Sequence, residues 1–200
     1  MMSWSMRKVE GALALFALAL GLAVGISVLG RGAWLDEFWT LASARSDHSW
    51  AQFAGLMAHE VHPPLHYGLI QIAQWLGVGD LGQLRALNIL GAPFVLVALW
   101  AAMRAQTLSV AQISVALALY ASSPMFLDSF AELRAYFLVF STGIATAVAA
   151  QILLRTAARG DRLSLCTLAL WGVSLAAFVN LDYFASFLGG LMTLDYVSGM

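Results

Sequence analysis

The sequence predicts an all-α fold: a polytopic membrane helical bundle of six or seven membrane helices, with short interfacial helices in its first outer loop. Three observations predict it. Of the 200 residues, 61% are hydrophobic and only 10% are charged, against about 45–50% and about 25% in a soluble domain. Charge-free runs recur at 11–30, 86–103, 105–127, 135–154 and 163–181, each 18 to 23 residues long. A hydrocarbon core about 30 Å thick takes about 20 helical residues. The arginines between these runs fall into two groups that a membrane orientation can separate.

The same numbers exclude other classes. Disorder, collagen and coiled coil do not fit so apolar a chain. The net charge is −1 with ten Lys and Arg, and no basic patch points to nucleic acid. Cys166, the single cysteine, allows neither an internal disulfide nor a cysteine zinc cluster.

Taken in order, the run at 11–30 follows Arg7-Lys8. Its length exceeds a signal-peptide core and no clear small-residue cleavage site follows, so it reads as an uncleaved span. Residues 61–79 are uncharged but contain His62, Pro63, Pro64, His66, Gln71 and Gln74. From Pro64 the segment supplies about 24 Å of helix, short of a roughly 30 Å core. If it does not span, Arg7, Lys8, Arg104, Arg155, Arg159 and Arg162 share the cytoplasmic side. If it spans, the cluster at 155–162 moves outside, against the positive-inside rule. The segment is therefore expected to be interfacial or re-entrant, within an outer loop of about 31–83. Spans at 86–103, 105–127, 135–154 and 163–181 follow, and a sixth starts at Tyr183. The whole chain, 1–200, reads as a single membrane domain without repeats or linkers.

This map gathers the unusual polar residues on the outer face. Asp36 and Glu37 sit in Trp34-Leu35-Asp36-Glu37-Phe38-Trp39. Tryptophans belong at a membrane interface, but paired carboxylates beside an apolar helix end are costly and mark function. Asp47, His48 and Glu60 read as ordinary loop residues. Glu132 and Arg134, and likewise Asp182, admit plain readings as helix-dipole or turn residues. His59, His62 and His66 have a metal-ligand spacing on an unbroken helix. Pro63 and Pro64 break it, because the residue before a proline is driven out of helical geometry, so a helix is expected to begin at the prolines.

In order along the chain, WLDEFWT, VHPPLHYGL, LRALNILGAP, AELRAY and NLDYFAS resemble the membrane glycosyltransferases of the GT-C type. The similarity is to the bacterial branch of dolichyl-phosphate-mannose–protein mannosyltransferase-like enzymes and covers about residues 1–190. It implies Asp36 as the catalytic base, Glu37 as its partner, and His62, His66 and Tyr67 as a substrate-binding loop, with His66 where tyrosine is more usual. Glu132 and Arg134 match an acidic and a basic position of a later motif. Asp182 stands where histidine is common and receives no role. Family enzymes continue with further spans, so the chain is expected to be the N-terminal part of such a module. The implied location is a bacterial plasma membrane, with the N-terminus cytoplasmic and the active face outward.

The residues support a compatible chemistry. No glycine-rich nucleotide motif is present, so a donor reaching the outer face would be a polyprenyl-phosphate-linked sugar. Transfer to a lipid, protein or glycan hydroxyl needs a base, for which Asp36 is the candidate. Glu37 or Glu132 would orient the acceptor, and Asp36 and Glu132 are the candidates for holding a divalent cation. Arg85 and Arg134 are the candidates for the leaving phosphate. Two other functions stay open: a non-catalytic membrane paralogue binding lipid-linked sugar or a partner, and a metal-binding membrane protein.

Overall fold

The computed structural model describes residues 30–60, 62–104 and 128–183, with the isolated positions Ala19, Ile26, Gln112 and Ala185. The spans expected at 11–30 and 105–127, and the element expected from Tyr183 on, lie outside these residues but for single positions. The protein is all-α, with no strand among the described residues.

Four short helices occupy the expected outer loop: α1 (Leu35–Ser43), α2 (Trp50–Met57), α3 (Leu65–Trp75) and α4 (Leu81–Arg85). Their ends follow from local chemistry. At the start of α1, the Glu37 carboxylate accepts the N–H of Trp34, 2.8 Å away. Ser49 and Gln52 cap α2 reciprocally, and Asp80 accepts the N–H of Gln83 at the start of α4. The third helix starts directly after the two prolines. It stops at Gly77, whose φ of 91° is one that residues with a Cβ adopt poorly. There the N–H of Gly77 meets the Gln74 carbonyl and that of Val78 the Ala73 carbonyl, which satisfies the last turn. With 11 residues, α3 measures roughly 16 Å.

These helices enclose a small core of their own. Ala44, Phe53, Tyr67, Ile70, Ala73 and Leu84 are buried together with Leu133 from the later chain. Gln71 ties the 45–48 turn to α3 through the carbonyls of Arg45 and His48. The expected loop is thus a packed helical layer.

The run at 86–103 does not form one uninterrupted α-helix. A 3-10 segment, Ala86–Leu90, precedes α5 (Gly91–Arg104). Pro93 supplies the reason. In a helix begun at Ala86 it would lie in the interior, lack a donor and clash with the preceding turn. A restart at Gly91 leaves it in the first turn, where no donor is required. Asn88, on the 3-10 segment, donates to the carbonyls of Phe130 and Glu132 at 2.9 and 2.8 Å and so holds the 128–134 segment in place.

The long helix α6 (Tyr136–Ala158) packs between α5 and α7 (Leu165–Leu181). Its 23 residues have a mean hydropathy of 2.0 over the best window and extend roughly 34 Å. Among the described residues it is the one helix long and apolar enough to cross a membrane, and α7 is a shorter apolar helix of 17 residues. Small residues let α6 approach its neighbours: Ser141, Thr142, Ala145, Thr146 and Ala149 are all buried. Their hydroxyls bond carbonyls one turn back, and the Thr146 hydroxyl lies 3.1 Å from that of Ser174 in α7.

Gly91 marks the tightest approach. A Cβ there would lie 2.6 Å from Ser141 Oγ and 2.9 Å from Phe137 Cε1. Gly172 in α7 has nothing within 4 Å. Gly91→Ala is expected to destabilise the protein by about 1–2 kcal/mol, overpacking outweighing the gain in helix propensity. Gly172→Ala is expected to stabilise it by up to about 1 kcal/mol. Thermal denaturation of both variants under one set of conditions checks the contrast.

Candidate active site

Asp36 and Glu37 are neighbours in sequence but point to different places. Glu37 is fully buried beside Arg85, also fully buried. Arg85 Nε donates to Oε1 at 2.8 Å and Nη2 to Oε2 at 2.7 Å. The guanidinium also donates to the carbonyls of Arg31 and Gly32. Glu37 accepts, besides, the N–H of Trp34 and that of Leu133, the latter at 2.6 Å. Burial pushes the Glu37 carboxyl up, but the hydrogen bonds from Arg85, Leu133 and Trp34, and the charge of Arg85, outweigh it and hold the carboxyl below its ordinary value. Both groups are committed to each other and to backbone. Neither side chain lines the pocket that surrounds Asp36, and in the structure the pair ties chain segments together.

The Leu133 N–H bond has a consequence one residue later. It brings Arg134 against Asp36, and the two form an ion pair. Asp36 stays largely exposed, and Arg134 is partly covered. The guanidinium also stacks over Tyr136, 4.7 Å from the ring centre.

Around this pair lies a pocket of about 180 Å³ built from four chain segments. Asp36, Trp39 and Thr40 come from one face of α1, as a spacing of three and four dictates. Glu60, His62, His66 and Tyr67 come from the turn before α3 and its first turn. Arg134, Ala135 and Tyr136 open α6, and Leu181 and Asp182 close α7. Of the residues singled out in the sequence, Asp36, His62, His66, Tyr67 and Arg134 therefore meet in one place.

Glu132 does not line this pocket. Its carboxylate pairs with Arg31 at 3.0 Å, and Arg31 also reaches Asp128. Asp36 and Glu132 are thus each paired with a different arginine. Among the described residues no three His, Cys, Asp or Glu side chains gather as a metal site would require. His59 lies outside the pocket lining, in the turn after α2.

Two pocket residues escaped the sequence reading. Glu60, taken as a loop residue, accepts the indole N–H of Trp39 at 2.9 Å and hydrogen-bonds Tyr67. Asp182 approaches His62, with 3.9 Å between Oδ2 and Nδ1. Proximity to Trp39 was not visible from spacing, because 21 residues separate the partners.

The environment sets protonation. His66 is buried, and burial first, then the nearby His62 and Arg134, push its pKa from 6.5 down to about 4. Burial and the nearby Glu60 charge push the Tyr67 phenol up to about 12. At neutral pH the pocket presents the neutral His66 imidazole and the Tyr67 phenol as hydrogen-bonding groups, alongside the Asp36–Arg134 ion pair.

No protein-family model, curated protein or solved structure matches this chain.

Two predictions follow from the contrast between buried and open groups. Glu37→Gln and Arg85→Lys are each expected to lower stability by about 3–5 kcal/mol, since either leaves a buried charge or donor unmatched. Asp36→Asn, at an exposed pair, should cost no more than about 1 kcal/mol. Thermal midpoints in detergent separate them. For His66 the unfolded chain binds its proton near pH 6.5 and the folded chain only near 4. Stability conferred by the neutral ring is complete above 6.5 and declines as pH falls to 4, by roughly 3 kcal/mol in total. His66→Phe should flatten that slope between pH 6.5 and 4.5.

Proposed function

We propose that this chain forms the catalytic face of a membrane glycosyltransferase that moves a sugar from a polyprenyl-phosphate donor to an acceptor hydroxyl. In this reading the chain is a bundle of six or seven membrane helices. Its N-terminus is cytoplasmic and its active face lies outside a bacterial plasma membrane. One observation carries the proposal. The exposed Asp36 carboxylate, the Arg134 guanidinium and the His62-to-Tyr67 turn converge on one pocket from distant parts of the chain.

The chemistry follows from these groups. Asp36 Oδ accepts the acceptor proton as the hydroxyl oxygen attacks the anomeric carbon. The bond from that carbon to the phosphate oxygen breaks, and its electron pair leaves with the polyprenyl phosphate. A single displacement inverts the anomeric centre. Arg134 has the fork geometry that phosphate selects. Engaging the donor phosphate draws it from Asp36 and frees the carboxylate oxygen as a base. The role assigned in the sequence to two arginines thus passes to Arg134 alone. His62, His66, Tyr67, Glu60 and Asp182 remain to hydrogen-bond sugar hydroxyls.

Pocket size supports a small ligand. At about 180 Å³ it is below the roughly 300–1,000 Å³ that encloses a drug-sized molecule, a scale suited to one sugar ring. The exposed apolar residues at the start of α1 support a membrane boundary: Trp34, Leu35 and Phe38 are 58–83% exposed, where apolar and indole side chains suit the interface.

The test is a transfer assay in membranes with a labelled polyprenyl-phosphate sugar. Asp36→Asn is expected to lower transfer at least about 100-fold with expression unchanged. Retained transfer would discard Asp36 as the base. Donor binding without transfer by the unaltered chain would favour the non-catalytic reading.

A further inference from the structure

A second concave feature lies at the other end of α6. It is a groove of about 410 Å³ between α5, α6 and α7. Tyr136 lines the first pocket and Thr156 the second, and 20 residues on one helix separate them by roughly 30 Å. Ala101, Leu153 and Leu170 line its apolar part, and Arg162, Ser164 and Thr167 line its polar part.

Charge at this end is one-sided. Arg155, Arg159 and Arg162 stand within eight residues, with Asp161 the one acid among them. All three arginines are exposed. None takes part in the ion pairs formed among the described residues, where Arg31, Arg45, Arg85 and Arg134 each have a carboxylate. Arg159 caps α6 and Gly160, at φ 71°, turns the chain toward α7, which keeps Arg162 at the groove. A cationic mouth on an apolar cleft between membrane helices matches a ligand with an anionic head and a hydrocarbon tail.

We propose that this groove binds an anionic phospholipid, with its phosphate on Arg162, Arg159 three residues earlier adding positive charge, and an acyl chain between α5 and α7. Serine and threonine hydroxyls at 164 and 167 supply further donors to the phosphate oxygens. The inference rests on the membrane placement above but not on the transfer reaction.

The experiment uses the full chain purified in a neutral detergent and titrated with dioleoyl phosphatidylglycerol or dioleoyl phosphatidylcholine. Thermal midpoint and lipid retained in native mass spectrometry are the two readouts. Phosphatidylglycerol is expected to raise the midpoint and be retained, and phosphatidylcholine to do neither. Arg162→Gln should weaken the phosphatidylglycerol effect roughly fivefold, and Arg159→Gln with Arg162→Gln more than either alone. Leu170→Trp, which fills the apolar part, should weaken it with every arginine present. Equal effects of the two lipids would overturn the proposal, as would indifference to Arg162→Gln. An equal effect of soluble glycerol phosphate would replace the lipid site by a simple anion site. Neither readout needs turnover, so failure here leaves the transfer reading standing, and an inactive transferase leaves this site standing.

Discussion

The buried pair of Glu37 and Arg85 is the constraint from which the site is built. Removing two charges from water is costly, and Coulomb attraction alone seldom repays it. Here the carboxylate receives donors from Arg85, Trp34 and Leu133, and the guanidinium also meets two backbone carbonyls. No tolerable arrangement leaves either partner out. The pair therefore joins three distant segments, the 31–37 turn, the end of α4 and the strip before α6. Asn88 completes the junction from the following 3-10 segment by holding the carbonyls of the same strip. Asp36 and Arg134 face each other because of this junction.

Adjacent acids thus serve opposite ends. Glu37 has its carboxylate spent inside the protein on Arg85, Trp34 and Leu133. Asp36 keeps its carboxylate at the pocket and exposed. The sequence signals a costly acidic pair in an aromatic setting, but cost does not say which member is buried and which stays open. That depends on partners 48 and 96 residues away, which no local pattern encodes.

Much of the remainder was legible. The helical class followed from composition, and the start of α3 from Pro63 and Pro64. The sequence reading grouped Asp36, His62, His66, Tyr67 and Arg134 with Glu37 and Glu132, and only the first five share the pocket, because Glu37 and Glu132 turn to Arg85 and Arg31. Less was legible where a local feature overrode an average one. Pro93 broke a run that hydropathy reads as continuous. The region from 31 to 83 was expected as an outer loop carrying short interfacial helices, and what was not legible is that Phe53, Tyr67, Ile70 and Leu84 give it a core. Glu60 and Asp182 looked ordinary because their significance lies in Trp39, Tyr67 and His62, which only folding brings near.

The register of α1 inherits a property from the two acids. Successive residues on a helix are about 100° apart, so a slip of one position would set Glu37 in the pocket and Phe38 against Arg85. An unsolvated guanidinium would then confront a benzyl ring, with no carboxylate left to neutralise it. The rotational phase of this short helix is thus locked by ionic complementarity rather than by greasy contacts. The turn at 31–34 consequently tolerates exchange of side chains far better than it tolerates gain or loss of a single amino acid.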